Sequence, residues 1–391
     1  MVSQLYFDYN ATTPCVKEVV DAMLPYFQED FGNPSSSHHP YGWLAKSAVE
    51  EATMSIAKAL DISTNSLIYT SGATESINMV LKGVARKLRS KGRHIITTQA
   101  EHKAVLDTCA FLEEDGFEVT YLGVDAKGLV STKQLMRALR PDTILVSMIY
   151  ANNETGAIQP LEEIAELVHA NGSLLFSDTT QALGKVDLTD VLRQVDFACF
   201  SGHKVYGPKG IGLVYCKEND NYDALPSFIQ GGGQQKGQRG GTINTPLIVG
   251  FAKAIELAYQ NLGDETTRLK TLRNRLEEGL LAIDLSVSNS TSEQRLPNTV
   301  NVSFPYVDGV NLLTALGSQL AVSNGSACNS ASVEPSHVLL AMGVEPSLAF
   351  SSLRFSLGRY TTQEEVKKVI AIVTQEVSKL RENNILWERR S

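Results

Sequence analysis

The sequence predicts an α/β fold, in which a large domain with a mostly parallel sheet is followed by a smaller α+β domain. Through the first two-thirds of the chain, short apolar runs alternate with amphipathic helical patterns. This alternation is typical of parallel strands with helices on both faces of the sheet. After about residue 255 the pattern changes to long helices with fewer strands, which indicates the second domain.

Two helices and four strands of the large domain can be assigned from their apolar patterns. The predicted helical faces comprise Ile77, Val80, Leu81, Val84 and Leu88 in one case, and Leu161, Ile164, Ala165 and Val168 in the other. The predicted buried strands are His94–Thr98, Ile144–Ile149, Leu174–Ser177 and Phe197–Ser201. Ligands collect at the carboxyl ends of strands in such sheets, so functional residues are expected directly after these runs.

The last third of the chain predicts the smaller domain. We expect a charged helix over roughly residues 264–283, a half-exposed strand over residues 296–304 and a closing helix over roughly residues 363–381. The extended N-terminal segment is expected to pack against these elements. The large domain would then span residues 16–255, and the small domain residues 1–15 and 256–391.

The composition is that of an ordinary globular protein, with 43% hydrophobic residues and a formal net charge of −8. This acidic balance gives no reason to expect direct binding of nucleic acid, and no apolar run is long enough for a membrane span. The first residues lack the basic and apolar regions of a signal peptide, so we expect a cytoplasmic protein. The five cysteines are far apart, which fits neither a disulfide framework nor a metal site.

The segment SGHKVYGPKG, residues 201–210, places Lys204 in a glycine-flanked turn after a predicted strand. A desolvated lysine in such a turn can act as an amine nucleophile and form a Schiff base. Ser201 and His203 could donate hydrogen bonds to a phosphate. Taken alone, the motif fits a solvated surface lysine equally well.

A second strand end carries Asp178, with Gln181 three residues further on. A carboxylate at this point often caps a helix, and by itself the cap is the more common explanation. A carboxylate is also the partner that a protonated pyridine nitrogen needs, because it keeps the ring cationic. Gln181 could then donate to the phenolic oxygen of the same ring.

The segment TSGATES, residues 70–76, joins a predicted strand to a helix expected to start near Glu75. Small residues such as Ala73 let backbone N–H groups approach an anion at the positive end of a helix. Thr74 adds a hydroxyl donor there, although it could equally be the helix cap. His102, just past another strand, could stack on an aromatic cofactor and exchange protons with it, or be a structural histidine.

Two further residues suit a substrate. Asn153, in ANNETG, has an amide fitted to a ring oxygen or a substrate group, but a plain turn would also explain it. Arg354 lies in an apolar, strand-like run, and a buried arginine needs an anion. That anion could be the carboxylate of an amino acid or a structural ion-pair partner.

Cys328 differs from the other cysteines because it lies in the run SNGSACNSAS. A loop of small polar residues is flexible and exposes its thiol, whereas a structural cysteine has apolar neighbours. The composition of this loop therefore favours a reactive thiol.

Taken in order, these motifs resemble those of the NifS/IscS-type cysteine desulfurases, which are fold-type I enzymes that use pyridoxal 5′-phosphate (PLP). The resemblance runs over nearly the whole chain, through YFDYNATTP, FGNPSSSH, TSGATES, AEHKAV, ANNETG, SDTTQALGK, SGHKVYGPKGIG, GGGQQKGQRGGT, SNGSACNSAS and LRFSLGR. It implies a seven-stranded type of sheet and a homodimer that converts L-cysteine to L-alanine. Sulfur is then expected on Cys328 as a persulfide, and next on an acceptor protein of iron–sulfur assembly or another thiolation pathway.

The resemblance also implies a role for each motif residue. Lys204 would carry the cofactor, with His102 stacked on the ring, Asp178 at its nitrogen and Gln181 at its oxygen. The phosphate would be held by Ala73, Thr74, Ser201, His203 and, from the other subunit, Thr242. Asn153 would contact both cofactor and substrate, and Arg354 would bind the substrate. Catalysis would rest on Cys328, Lys204 and His102.

The setting of Cys328 resembles the group I signature, in which a long mobile loop carries the cysteine. The chain departs from the family pattern at Asn324 and Asn329 (usually serine or threonine), at Gln235 (often glutamate) and at Thr179 (usually alanine). None of these departures removes a catalytic group. The alternatives are a class V aminotransferase or selenocysteine lyase of the same fold, and a non-catalytic sulfur-delivery scaffold.

Overall fold

A computed structural model describes residues 4–218, 225–324 and 334–388 of the chain. The strands are β1 (Leu5–Tyr6), β2 (Leu67–Thr70), β3 (His94–Thr98), β4 (Glu118–Leu122), β5 (Thr143–Ile149), β6 (Leu174–Asp178), β7 (Phe197–Ser201), β8 (Gly212–Cys216), β9 (Val287–Ser288), β10 (Thr299–Ser303), β11 (Leu320–Ala321) and β12 (Ser352–Ser356).

The helices are α1 (Lys17–Met23), α2 (Pro25–Gln28), α3 (Pro40–Leu60), α4 (Ala73–Leu88), α5 (Lys103–Glu114), α6 (Thr132–Ala138), α7 (Leu161–Ala170), α8 (Thr189–Gln194), α9 (Thr245–Gln260), α10 (Leu262–Leu281), α11 (Gly309–Leu316), α12 (His337–Ala341), α13 (Pro346–Phe350), α14 (Gln363–Glu382) and α15 (Ile385–Glu388). Across the described ranges, none of these helices combines the length and apolar character that crossing a bilayer requires.

Seven strands form the central sheet in the order β2-β8-β7-β6-β5-β3-β4. All neighbours are parallel except β8, which runs antiparallel to both β2 and β7. The mostly parallel sheet predicted from the sequence is therefore confirmed, and its four predicted strands correspond to β3, β5, β6 and β7. Because β3, β5, β6 and β7 are parallel, their carboxyl ends lie at the same end of the sheet, where the loops of the site begin.

Helices cover both faces of this sheet, because successive side chains of each strand point to opposite sides. Ile95 packs in the cluster beneath α4 and α5, whereas Ile96 packs in the cluster beneath α3, α7 and α9. The two helices predicted from their apolar faces, α4 and α7, lie on opposite faces of the sheet. The predicted domain boundary at residue 255 falls within α9, whose Ile255 still packs in the large domain.

A second sheet of three antiparallel strands, in the order β12-β10-β9, packs against α10, α11 and α14. The N-terminal segment belongs to this unit, since β1 pairs with β11 and Phe7 lies in its core. The prediction of a half-exposed strand here is wrong, because all five residues of β10 are buried. Its polar side chains are covered as well: Thr299 contacts the N-terminal Asn10, and Asn301 contacts Asn289.

Candidate active site

A cavity of about 610 Å³ opens at the carboxyl ends of β3, β5, β6 and β7. It collects ten of the residues predicted from the sequence, namely Ala73, Thr74, His102, Asn153, Asp178, Gln181, Ser201, His203, Lys204 and Arg354. Each of these strands delivers its functional side chains at its last residue or in the loop that follows it, as expected for a parallel sheet. Arg354 arrives from the small domain, on β12.

Lys204 follows β7 in a short helical turn over residues 202–204. Its Nζ donates to the backbone oxygens of Asn10 and Ala11, at 2.6 and 2.8 Å. The interpretation of Lys204 as a solvated surface lysine is therefore wrong. The sequence motif YNATTP had suggested no individual role for Asn10 or Ala11, although both hold the amine in place.

Asp178 ends β6 and is only 5% exposed. Its Oδ1 accepts from the Thr180 backbone N–H at 2.9 Å, and the Cys199 thiol donates to the same oxygen at 3.4 Å. The alternative of Asp178 as a helix cap is therefore wrong, because the residues that follow form a turn, and its carboxylate lines the cavity. Gln181 donates through Nε2 to the backbone oxygen of Asn10 at 2.9 Å.

The segment 71–75 lines the opposite end of the cavity. Helix α4 begins at Ala73 with Gly72 as its N-cap, so the alternative of Thr74 as the cap is wrong. The first N–H groups of a helix have no partner within it, and this end is therefore suited to an anion. Strand β8 packs closely against the backbone of Gly72. A Cβ atom on Gly212 would lie 2.5 Å from the Cα of Gly72, so this position requires glycine.

Burial favours the neutral form of the two histidines of the site. Burial, followed by the charges of Lys204 and Lys209, lowers the pKa of His203 to about 4. Its Nδ1 lies 3.1 Å from the hydroxyl of Thr12. His102 is the N-cap of α5, where Nδ1 accepts from the Ala104 backbone N–H at 3.1 Å.

This capping bond assigns the proton of the neutral His102 ring to Nε2. Burial lowers the pKa of His102, more than Asp178 raises it. The structural and the functional interpretations of His102 are therefore compatible.

Arg354 is 4% exposed and forms a salt bridge with Asp8, at 2.7 Å between Nη2 and Oδ1. Its Nη1 donates to the backbone oxygen of Asn153 at 3.1 Å. The buried Nε has no hydrogen-bond partner within the part of the chain that the structure describes. The structural ion pair weighed for Arg354 is thus present, and Asp8 is a partner that sequence reasoning missed.

One predicted residue that the structure describes, Thr242, does not line this cavity. Thr242 lines two smaller cavities, one beside Tyr69 and one beside Phe31. Cys328, with the mobile loop expected around it, lies outside the described residues, as does Asn329.

Two departures from the family pattern have clear partners in the structure. The Gln235 amide donates to the oxygen and accepts from the N–H of Tyr69 on the edge strand β2. A glutamate could not make both bonds, because an ionised carboxylate only accepts. The Thr179 hydroxyl, buried where alanine is usual, donates to the backbone oxygen of Cys199 at 2.8 Å.

Comparison with known proteins agrees with this geometry. The sequence matches the family model of the class-V aminotransferases over residues 5–369. A cysteine desulfurase IscS from Anaeromyxobacter sp. (strain Fw109-5) is 48% identical over 385 residues, which cover 98% of this chain and 95% of the relative.

Two solved structures are similar along most of their length. A NifS-like protein has a TM-score of 0.89 at 39% identity, covering 96% of this chain and 99% of its own. SspA in complex with cysteine has a TM-score of 0.79 at 37% identity, covering 92% of this chain and 100% of its own. The chain therefore belongs to the class-V aminotransferase family and, within it, to the cysteine desulfurases. Its fold is fold-type I, and its cofactor is PLP.

Proposed function

We propose that this enzyme removes sulfur from L-cysteine, releases L-alanine and keeps the sulfur on Cys328 as a persulfide until an acceptor protein takes it. The proposal is carried by the convergence of an amine, a buried carboxylate, an imidazole and a guanidinium on one cavity. These are the groups that a PLP enzyme needs for an amino-acid substrate. The similarity to cysteine desulfurases, and to a protein solved in complex with cysteine, supports cysteine as that amino acid.

The donors and acceptors in the cavity fit PLP. Asp178 would meet the ring nitrogen, Gln181 the phenolic oxygen, and the flat face of His102 the ring; Asn153 would contact both cofactor and substrate. The phosphate would bind at the start of α4, with Ala73, Thr74, Ser201 and His203 as donors. When bound, the cofactor supplies an electron sink for the negative charge left on the substrate Cα.

Lys204 would remove and return the proton on the substrate Cα. Its amine is already held at a defined point, by the carbonyl oxygens of Asn10 and Ala11. His102 would assist the proton transfers as a donor, because its neutral ring carries a proton on Nε2 while Nδ1 accepts from the Ala104 N–H.

Arg354 would bind the substrate carboxylate. Its buried Nε is left without a partner within the described residues, and the carboxylate can accept from Nε and one Nη together. Asp8 would then give up part of its contact with the guanidinium.

Cys328 would attack the sulfur of bound cysteine as a thiolate. The substrate C–S bond breaks, the Cys328 S–S bond forms, and the carbon fragment takes up protons to become alanine. The described flanks of the loop support access to the cavity. Ser323 pairs with Arg354 through two backbone hydrogen bonds, and on the other side His337 lies 2.9 Å from the backbone oxygen of Glu101.

We also propose that the enzyme is a homodimer in which Thr242 reaches the phosphate of the second copy. Phe31 lines a small cavity together with Thr242 and is 64% exposed, and its ring packs against the exposed ring of Tyr41. Further large apolar side chains of the same stretch of chain are exposed, namely Leu24, Phe27, Trp43 and Leu44. Exposed apolar side chains that form a patch are typical of protein interfaces. The cytoplasmic location and the identity of the acceptor protein remain predictions.

The test is to incubate the holoenzyme with L-cysteine, quantify alanine and map persulfides by mass spectrometry. Cys328→Ser should abolish the persulfide and reduce alanine formation to near background. Cys15→Ser is the matched control, since Cys15 is a partly exposed cysteine outside the cavity. Undiminished alanine from Cys328→Ser would contradict the role of Cys328, and no alanine from the wild type would contradict the function.

A further inference from the structure

Lys185 lies four residues beyond Gln181, and its side chain is only 9% exposed. Buried lysines are rare and are usually paired with a carboxylate. The partners of Lys185 within the described residues are instead amide oxygens. Its Nζ donates to Gln181 Oε1 at 2.7 Å and, more weakly, to Asn10 Oδ1 at 3.5 Å.

The turn before Lys185 directs its side chain back towards Gln181. Gly184 has a φ of +70°, a left-handed conformation that favours glycine. A side chain at this position would also collide with Val205, whose Cγ2 would lie 2.6 Å from the added Cβ. The turn therefore requires glycine at position 184, and this turn brings Lys185 into contact with Gln181.

Two cations, Lys204 and Arg354, act on the charge of Lys185. Burial, followed by the charges of Lys204 and Arg354, lowers the pKa of Lys185 to about 7. A lysine is a hydrogen-bond donor in both its protonated and its neutral form. The contact with Gln181 therefore persists through the neutral range of pH.

The Gln181 amide is held in one orientation by both of its ends. Lys185 donates to Oε1, and Nε2 donates to the backbone oxygen of Asn10. A flipped amide would place Oε1 against that backbone oxygen and its NH₂ group against the amine of Lys185. In the orientation seen, the second hydrogen of Nε2 remains for a ligand in the cavity that Gln181 lines.

We propose that Lys185 is a positioning residue that holds the Gln181 amide with its remaining N–H towards the cofactor, where it donates to the phenolic oxygen. The inference rests on the proposed role of Gln181. The competing explanation is that Lys185 only fills a polar gap. Lys185 also lines a second cavity, of about 380 Å³, to which Lys204 contributes as well.

The experiment is a pH titration of the visible absorbance of the bound cofactor, without cysteine. Lys185→Met removes the donor at nearly equal length. Without its hydrogen bond, the anionic form of the phenolic oxygen is less stable. The bound cofactor should therefore lose its proton at a higher pH. The titration midpoint should move upward, corresponding to a roughly fivefold change in the dissociation constant, as expected for one hydrogen bond.

A double-mutant cycle separates orientation from charge and from fold. Gln181→Ala should shift the midpoint as Lys185→Met does, and the double variant should shift it no further. Additive shifts, or a Lys185→Met titration equal to the wild type, would overturn the proposal. Lys253→Met, a control that removes a lysine paired with Glu256 on α9, should titrate as the wild type.

The outcomes also distinguish this inference from the proposed function. A wild-type protein whose bound cofactor titrates normally but yields no alanine from cysteine would contradict the function and leave the titration test intact. A normal desulfurase whose midpoint ignores Lys185 would contradict only the role of Lys185.

Discussion

The two ends of the cavity are built to hold anions by different means. At the end formed by the large domain, the start of α4 presents backbone N–H groups, and hydroxyls and the neutral His203 add side-chain donors. At the end formed by the small domain, one charged side chain, Arg354, dominates and is already paired with Asp8. The first end is preorganised by the path of the backbone, whereas the second must exchange one partner for another.

This difference suits the two ligands. A cofactor that stays bound through many reactions gains from a rigid set of donors shared among many groups. A substrate that enters and leaves in each cycle can use one strong, exchangeable contact. A single substitution should therefore reduce activity little at the first end and strongly at the second. Substitution of Lys204, which lies between the two ends, should reduce it most.

The largest effect is expected for Lys204→Ala, because this side chain serves both ends. Turnover should be abolished, together with the adduct that borohydride traps between cofactor and protein. Lys209→Ala, which changes another lysine of the same cavity, is the control and should keep the adduct. A trapped adduct that maps to any lysine in the Lys204→Ala protein would show that the assignment is wrong.

Arg354→Lys should give the next largest effect. Lysine keeps the charge but cannot make the planar two-point contact, so kcat/KM for cysteine should fall by roughly 10- to 100-fold. The affinity for the cofactor should change less than about threefold, within the range of context effects. An equal loss of cofactor and cysteine binding would mean that the two ends are not independent.

Thr74→Ala should have a smaller effect, confined to the cofactor. It removes one hydroxyl donor and leaves the backbone N–H groups, so the dissociation constant for the cofactor should rise roughly fivefold. The apparent KM for cysteine, measured at saturating cofactor, should not change. A complete loss of cofactor binding would show that the hydroxyl, rather than the backbone, forms this end.

The smallest effect on the kinetics is expected for Asp8→Asn. The direction in which the KM for cysteine changes is informative here. Without the carboxylate, the buried guanidinium lacks its ion-pair partner, so the melting temperature should fall. The substrate carboxylate no longer competes with Asp8, so the KM for cysteine should decrease by about twofold to fivefold. An increase in KM would mean that Asp8 orients Arg354 instead of competing for it.

The sequence predicted the first end of the cavity better than the second, for a physical reason. Ala73, Asp178 and Lys204 each follow a recognisable strand, and the parallel sheet then brings these strand ends together. Asp8, Asn10 and Ala11 belong to a segment of little regular structure. Their partners, Arg354 and Lys204, lie 346, 194 and 193 residues away, and no local pattern encodes such contacts.

Strand β10 is a second case in which the local sequence pattern does not predict contacts with distant segments. Its alternating pattern was correctly interpreted as a strand, but the polar residues predicted to face solvent are buried. They are hydrogen-bonded to the N-terminal segment and to the large domain, as for Thr299 with Asn10 and Asn301 with the backbone oxygen of Glu154. A period of two identifies the two faces of a strand but not what covers the polar one.

The position of Asn10 has a consequence for how the enzyme is made. Its backbone N–H donates to the hydroxyl of Ser356, and its side chain contacts Thr299, so the acceptor for Lys204 is fixed by residues synthesised much later. Domains of a nascent chain fold in order of their emergence, and the seven-stranded sheet can form before residue 356 has been added. The acceptor of the Lys204 amine therefore gains its last contact only after the final strand of the small sheet, β12, has been synthesised.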